Sequence, residues 1–353
     1  MEKIYLCLEN GFVFQGNSFG ADVEALGELV FDTSMVGYPE TLTDNNYSGQ
    51  IVMKTFPMIG NYGMVFDSEN KIPTVAGFVV REVCEMPSNF RCEGTLSDYL
   101  KLNGIPAICD VDTRELTRIL RENGTCNAAI CKKVPDNFDF IKEYKASGSI
   151  QNVSVNHSEI ILNGEKKVAF IDLGTKEASI NVLKNANCEI CLFPYNALSK
   201  EIEEYNPQGI FISDGAGDPS ELSETIKCIK ELLGKYPIFA VGMGHQILAL
   251  ANGCETEKMK YGHRGVNQPS ISKETGKTYI TSQNHGYCVK TDNLKENAKI
   301  TFVNANDGSC EGMEYEKIYA FSVQFRPEGY NGPNNTLFLY DKFLKNMEDK
   351  VCL

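Results

Sequence analysis

From 168 to 324 the chain alternates short apolar runs with helix-patterned stretches, and no other feature limits its fold as much. Runs at 168–173, 189–194, 209–213, 238–241 and 319–324 each have the length of one buried strand. The alternation predicts an α/β fold, an open and mainly parallel sheet with helices on both faces. Ligands of such sheets gather at the carboxyl ends of the strands, so the residues after each run are where chemistry is sought.

Three of these ends carry a signal. The third run leads into Ser213-Asp214-Gly215-Ala216-Gly217-Asp218-Pro219, where two glycines allow close backbone approach to a ligand; alone, the segment fits an ordinary strand-to-helix turn equally well. The fourth leads into Ala240-Val241-Gly242-Met243-Gly244-His245-Gln246, then an apolar helical stretch and the stop signal Asn252-Gly253. Strand, glycine-crowded turn and helix make the frame of a nucleophile elbow, whose apex residue sits at a helix N-terminus. A thiol there would have its pKa lowered, and backbone N–H groups would hold an oxyanion. The apex here is Gly242, which has no side chain. The last run leads into Gln324-Phe325-Arg326-Pro327-Glu328.

The amino-terminal half has a different pattern. Residues 1–147 read as an α+β domain opening with two apolar runs around Glu9-Asn10-Gly11, a hairpin-turn signal. Strands are expected at 50–54 and 75–83, and a helix at 113–122 with Leu116, Ile119 and Leu120 on its apolar face and Gly124 just beyond its end. A polar stretch, 148–165, reads as a linker, and 166–353 as the second domain. A formal charge of −13 argues against a nucleic-acid partner. No apolar run reaches membrane-spanning length and the first residues lack a secretory signal, so a cytoplasmic protein is expected. The 13 cysteines, including the nearby Cys188 and Cys191, fit buried reduced thiols better than zinc, since there are four histidines and no second close cysteine pair.

The motifs together resemble the carbamoyl-phosphate synthetase small subunit, a member of the class I, triad-type glutamine amidotransferases. The resemblance rests on VFDTSMVGYPETLTDNNYSGQIV, IGNYG, GFVVRE, SNFR and DVDTRELTRILRENG in the first half, and on FISDGAGDP, KYGHRGVNQP, SQNHGY, NDGSCEGM and VQFRPEGYNGP in the second. In that family the elbow resembles G-I-C-L-G-H-Q and the last strand ends in Q-F-H-P-E. The resemblance therefore places the nucleophilic cysteine at Gly242 and the general base at Arg326, and leaves only the orienting carboxylate, Glu328. Arginine stays protonated at neutral pH and cannot accept the thiol proton. The resemblance also implies a glutamine pocket of Gly215, Gly217, Met243, Gln246, Asn284, Gly286 and Tyr287, with Asn46 where the family usually has serine.

Three functions follow as expectations. The first is a small subunit of the heteromeric synthetase, serving pyrimidine or arginine synthesis, unable to hydrolyse glutamine and supporting ammonia-dependent synthesis by a large subunit that carries the ATP and metal sites. This chain would then hold no cofactor or metal of its own. The second is a regulatory module that binds glutamine or another amino acid without turnover. The third is a glutaminase using an unrecognised nucleophile, for which Cys288 is the nearest candidate. His245 and His285 are expected to be structural.

Overall fold

The computed structural model describes residues 2–65, 72–145, 150–292, 294–330 and 332–351. The chain divides into two compact units, 1–149 and 150–353.

The first unit is built on a closed barrel whose strands run, in spatial order, Lys3–Leu8, Val13–Ser18, Ala107–Cys109, Gly77–Val79, Gln50–Lys54, Ala25–Asp32 and Cys126–Cys131. Its opening hairpin turns where the Asn-Gly pair predicts, with Gly11 at φ +90°. The helix Thr113–Asn123 buries Leu116, Ile119 and Leu120, starts on the Asp112 carboxylate, which accepts from the Glu115 N–H at 3.0 Å, and stops at Gly124. Inside the barrel wall Lys54 is fully buried and pairs with Asp32 at 2.7 Å. The same carboxylate accepts from the Tyr47 hydroxyl and the Ser34 N–H, each at 2.7 Å, so the buried charge is fully hydrogen-bonded.

The second unit carries a sheet of ten strands among the described residues. Its centre is parallel: Cys188–Pro194, Lys166–Asp172, Gly209–Ile212, Ile238–Val241 and Ala320–Val323 lie side by side in that order. These are the five expected strands with ends shifted by a few residues. The sheet continues antiparallel through Cys310–Tyr315 and Lys299–Asn304 to a long hairpin, Thr256–Ser272 and Thr278–Val289. The sequence pattern predicts no strand here. The hairpin's inward positions are largely polar, so apolar alternation does not mark it.

The stretch 148–165, expected as a linker, belongs to the second unit from Ile150 onward; residues 148 and 149 lie outside the described residues. Ile150 is buried in the core with Ala169 and Phe193, and Glu159–Leu162 adds an antiparallel edge strand to Cys188–Pro194. The polar residues between them are the exposed face of a segment anchored by few apolar side chains. Among the described residues no helix is long and apolar enough to cross a membrane.

Candidate active site

The site lies at the carboxyl ends of three adjacent parallel strands. Register sets it: Ile212 lies beside Ala240, and Ala240 beside Ser322, so the segments that follow carry Asp214, Gly242 and Arg326 to one edge of the sheet. The helix Met243–Ala251 leaves the middle strand at once and is buried along almost its whole length. It can approach the sheet because Gly244 has no Cβ; one built there would run into the Ile212 carbonyl.

Gly242 stands at the apex with φ +57° and ψ −116°, a conformation that a residue with a side chain adopts only under strain. The elbow is thus kept although its apex residue carries no functional group. The space above it is filled from the next strand. A Cβ built on Gly242 would overlap Oδ1 and Cγ of Asp214 and lie 2.9 Å from its Cβ.

Asp214 is held on both sides. Its Oδ1 accepts from the Met243 N–H at 3.0 Å and from the Gly215 N–H at 2.9 Å. Its Oδ2 accepts from Arg326 Nε at 2.9 Å, and the arginine is only 3% exposed. One carboxylate therefore joins the first amide of the elbow helix, the amide of the glycine loop, and the guanidinium at the end of the last strand. Sequence reasoning passed over Asp214, although the strand-end rule points to the segment it opens. Little local marks it, because two of its three partners, Met243 and Arg326, come from the ends of other strands.

Arg326 and Glu328, two residues apart, have different neighbours. Arg326 turns to Asp214, whereas Glu328 accepts from the Ser179 hydroxyl and from the Tyr340 hydroxyl, each at 3.1 Å. Burial and the adjacent carboxylate push the Tyr340 phenol well above its usual range, so it stays a donor. The ring of Tyr330 lies close to two cations, 3.8 Å from Lys176 Nζ and 5.6 Å from the Arg326 guanidinium carbon.

The residues assigned to a glutamine pocket belong to both units. Gly215, Gly217, Met243, Gln246, Asn284, Gly286 and Tyr287 belong to the second unit, and Asn46 to the first, where it is buried in the turn Asn45–Tyr47 with its N–H on Asp44. Gly215 packs against the Leu173 carbonyl where a Cβ would collide. Gln246 is buried and spends its amide N–H groups on the Tyr287 carbonyl at 2.7 Å and the Gln324 side chain at 2.9 Å.

His245, His263 and His285 are structural in their contacts. Fully buried His245 has Nδ1 2.8 Å from the Ser322 hydroxyl, and burial pushes its pKa down to about 3, so it is neutral. His263, His285 and Glu311 bring their ligand-type atoms within 4.8 Å of one another. Gln283 sits among them: its Oε1 is 3.1 Å from both imidazoles and its Nε2 donates to Glu311 at 2.8 Å. The cluster is a hydrogen-bonded network joined through the Gln283 amide. Cys288 is buried, and burial and acidic neighbours push its thiol up to about 12, which disfavours the thiolate a nucleophile requires.

Central parallel sheet, elbow helix, glycine loop and strand-end carboxylate define the second unit as a class I glutamine amidotransferase domain, and residues 169–346 match the family model described as glutamine amidotransferase class-I. Residues 6–130 match the model for the carbamoyl-phosphate synthase small chain, CPSase domain. The chain is 45% identical to the carbamoyl phosphate synthase small chain of Clostridium perfringens over 97% of its own length and 99% of that protein's. It is 43% identical to the small chains of Caldanaerobacter subterraneus, over 97% and 96%, and of Fusobacterium nucleatum, over 98% of each. The chain belongs to the carbamoyl phosphate synthase small chain family.

Proposed function

We propose that this chain is the small subunit of a carbamoyl-phosphate synthetase that does not hydrolyse glutamine and leaves its partner to use free ammonia. One observation carries the reading: the apex of the elbow has no side chain, and a carboxylate paired with a buried guanidinium stands over it. Hydrolysis needs a nucleophile to attack the amide carbon and a base to take its proton and return it to the leaving ammonia. Gly242 offers no nucleophile and Arg326 no proton acceptor. Glu328, bonded by Ser179 and Tyr340, orients no base.

In this reading the first unit docks to the large subunit, which supplies the ATP and metal chemistry, and the product feeds pyrimidine or arginine synthesis. A surrogate nucleophile is disfavoured by the high pKa of Cys288, and a glutamine sensor by the internal bonding of Gln246. The test is synthesis by the purified complex with ammonium or glutamine as nitrogen donor. Ammonium should support carbamoyl phosphate formation and glutamine should not. Glutamine-dependent synthesis clearly above that of the large subunit alone would refute the reading.

A further inference from the structure

We infer that Asp214 is the group that closes this site, by serving as a permanent internal occupant of its oxyanion hole. The inference rests on the lost turnover proposed above and adds a residue outside the triad. In an elbow site the amide following the nucleophile, together with one from a neighbouring loop, receives the negative oxygen that develops on the attacked carbonyl. Here those positions are the N–H groups of Met243 and Gly215, and one oxygen of Asp214 already accepts from both. A carboxylate oxygen is a full anion held at hydrogen-bonding distance, the arrangement these amides would otherwise offer to a transition state.

The occupancy is locked by Gly242 and Arg326. The second carboxylate oxygen is paired with buried Arg326, so the charge is compensated where it lies. The carboxylate fits only because position 242 lacks a Cβ. Asp214, Gly242 and Arg326 are therefore one interlocked unit. A side chain at 242 and the Asp214 carboxylate compete for one space, and displacing Asp214 would strip Arg326 of that carboxylate. Rebuilding the cysteine–histidine pair alone therefore leaves a carboxylate that competes with the thiol for the space over the elbow and with the substrate for the two amides.

The experiment compares Gly242→Cys/Arg326→His with the same pair plus Asp214→Gly, each in complex with the large subunit. Readouts are glutamate release from glutamine and alkylation of the introduced thiol by a glutamine-mimicking chloroketone, located by mass spectrometry. Removing even one oxyanion donor typically costs about 10²–10³ in rate. The triple variant should exceed the double by at least ~10-fold in release or in labelling. Equal values for the two, whether both active or both inert, overturn the assignment.

A second measurement does not depend on rebuilding activity. In the natural chain, Asp214→Ala and Arg326→Met are combined in a double-mutant cycle followed by urea unfolding. Strong coupling supports the interlock, and additive effects overturn it. The natural complex, assayed alongside, separates the two claims. Glutamate release from it refutes the lost turnover, whereas release from the double variant at the level of the triple refutes only the role of Asp214.

Discussion

Replacing Gly242 by alanine adds a single methyl group and should still be among the most damaging small changes in the second unit. Two costs combine. At φ +57° and ψ −116° a residue with a Cβ is strained by ~1–3 kcal/mol. The new Cβ also overlaps the Asp214 carboxylate, which must swing away from two amides and from Arg326. Breaking a buried ion pair so that one charge loses its partner costs ~3–5 kcal/mol. The expected loss is therefore about 4–8 kcal/mol, a large part of the ~5–15 kcal/mol that holds a domain folded. Equilibrium urea unfolding measures it. Gly276→Ala is the control, because Gly276 has φ +70° but nothing within 4 Å of where its Cβ would lie. It isolates the backbone cost. If Gly242→Ala costs no more than Gly276→Ala, the overlap with Asp214 is not there in solution.

Three other expectations concern parts of the molecule away from the elbow. Burial alone would lower the pKa of His263, but hydrogen bonds and charge from Asp307 and Glu311 outweigh it and raise it to about 9. A histidine raised in the folded state stabilises fully below its unfolded pKa of about 6.5, so stability should fall by ~2–3 kcal/mol as pH rises from about 6.5 through about 9. Urea midpoints across that range test it, and a slope unchanged in His263→Asn would refute it. In the barrel, Lys54→Met strands the buried Asp32 charge and should cost ~3–5 kcal/mol, while adding Asp32→Asn should recover part of the loss; the two unfolding curves decide. Titration calorimetry of the natural chain with millimolar glutamine should give no binding heat, since Asp214 holds the amides and Gln246 is internally bonded. A clear saturating heat would favour a sensing role.

The parts of the fold legible in the sequence are those where burial is local and apolar. The strands of the parallel centre stand out because both faces of the sheet are covered, so each reads as an unbroken apolar run such as Ile238–Val241. The hairpin at Gly11 and the helix Thr113–Asn123 announce themselves by turn and cap chemistry. The long hairpin was hidden because His263, Gln283 and His285 point into a polar network instead of an apolar core. Glu159–Leu162 was hidden because an exposed edge strand of four residues carries almost no pattern. At the site, Gly242 and Arg326 stand out directly, since each is a residue that departs from a motif the chain otherwise resembles. Their consequence does not. That Arg326 turns to Asp214 and not to Glu328 depends on which strands are neighbours, and sequence spacing favours the nearer carboxylate.

On the function proposed above, the overlap of Asp214 with any Cβ at position 242 means that a return to glutamine hydrolysis does not run through single replacements of equal cost. Seen as a landscape of single replacements, the present trio is a local summit. A cysteine arriving first collides with Asp214, a histidine arriving first at 326 leaves a buried carboxylate without its guanidinium, and a neutral residue arriving first at 214 leaves the guanidinium without its carboxylate. Each route back to a glutaminase descends before it climbs, and the descent is in the stability of the domain, where selection acts whether or not the site is ever used.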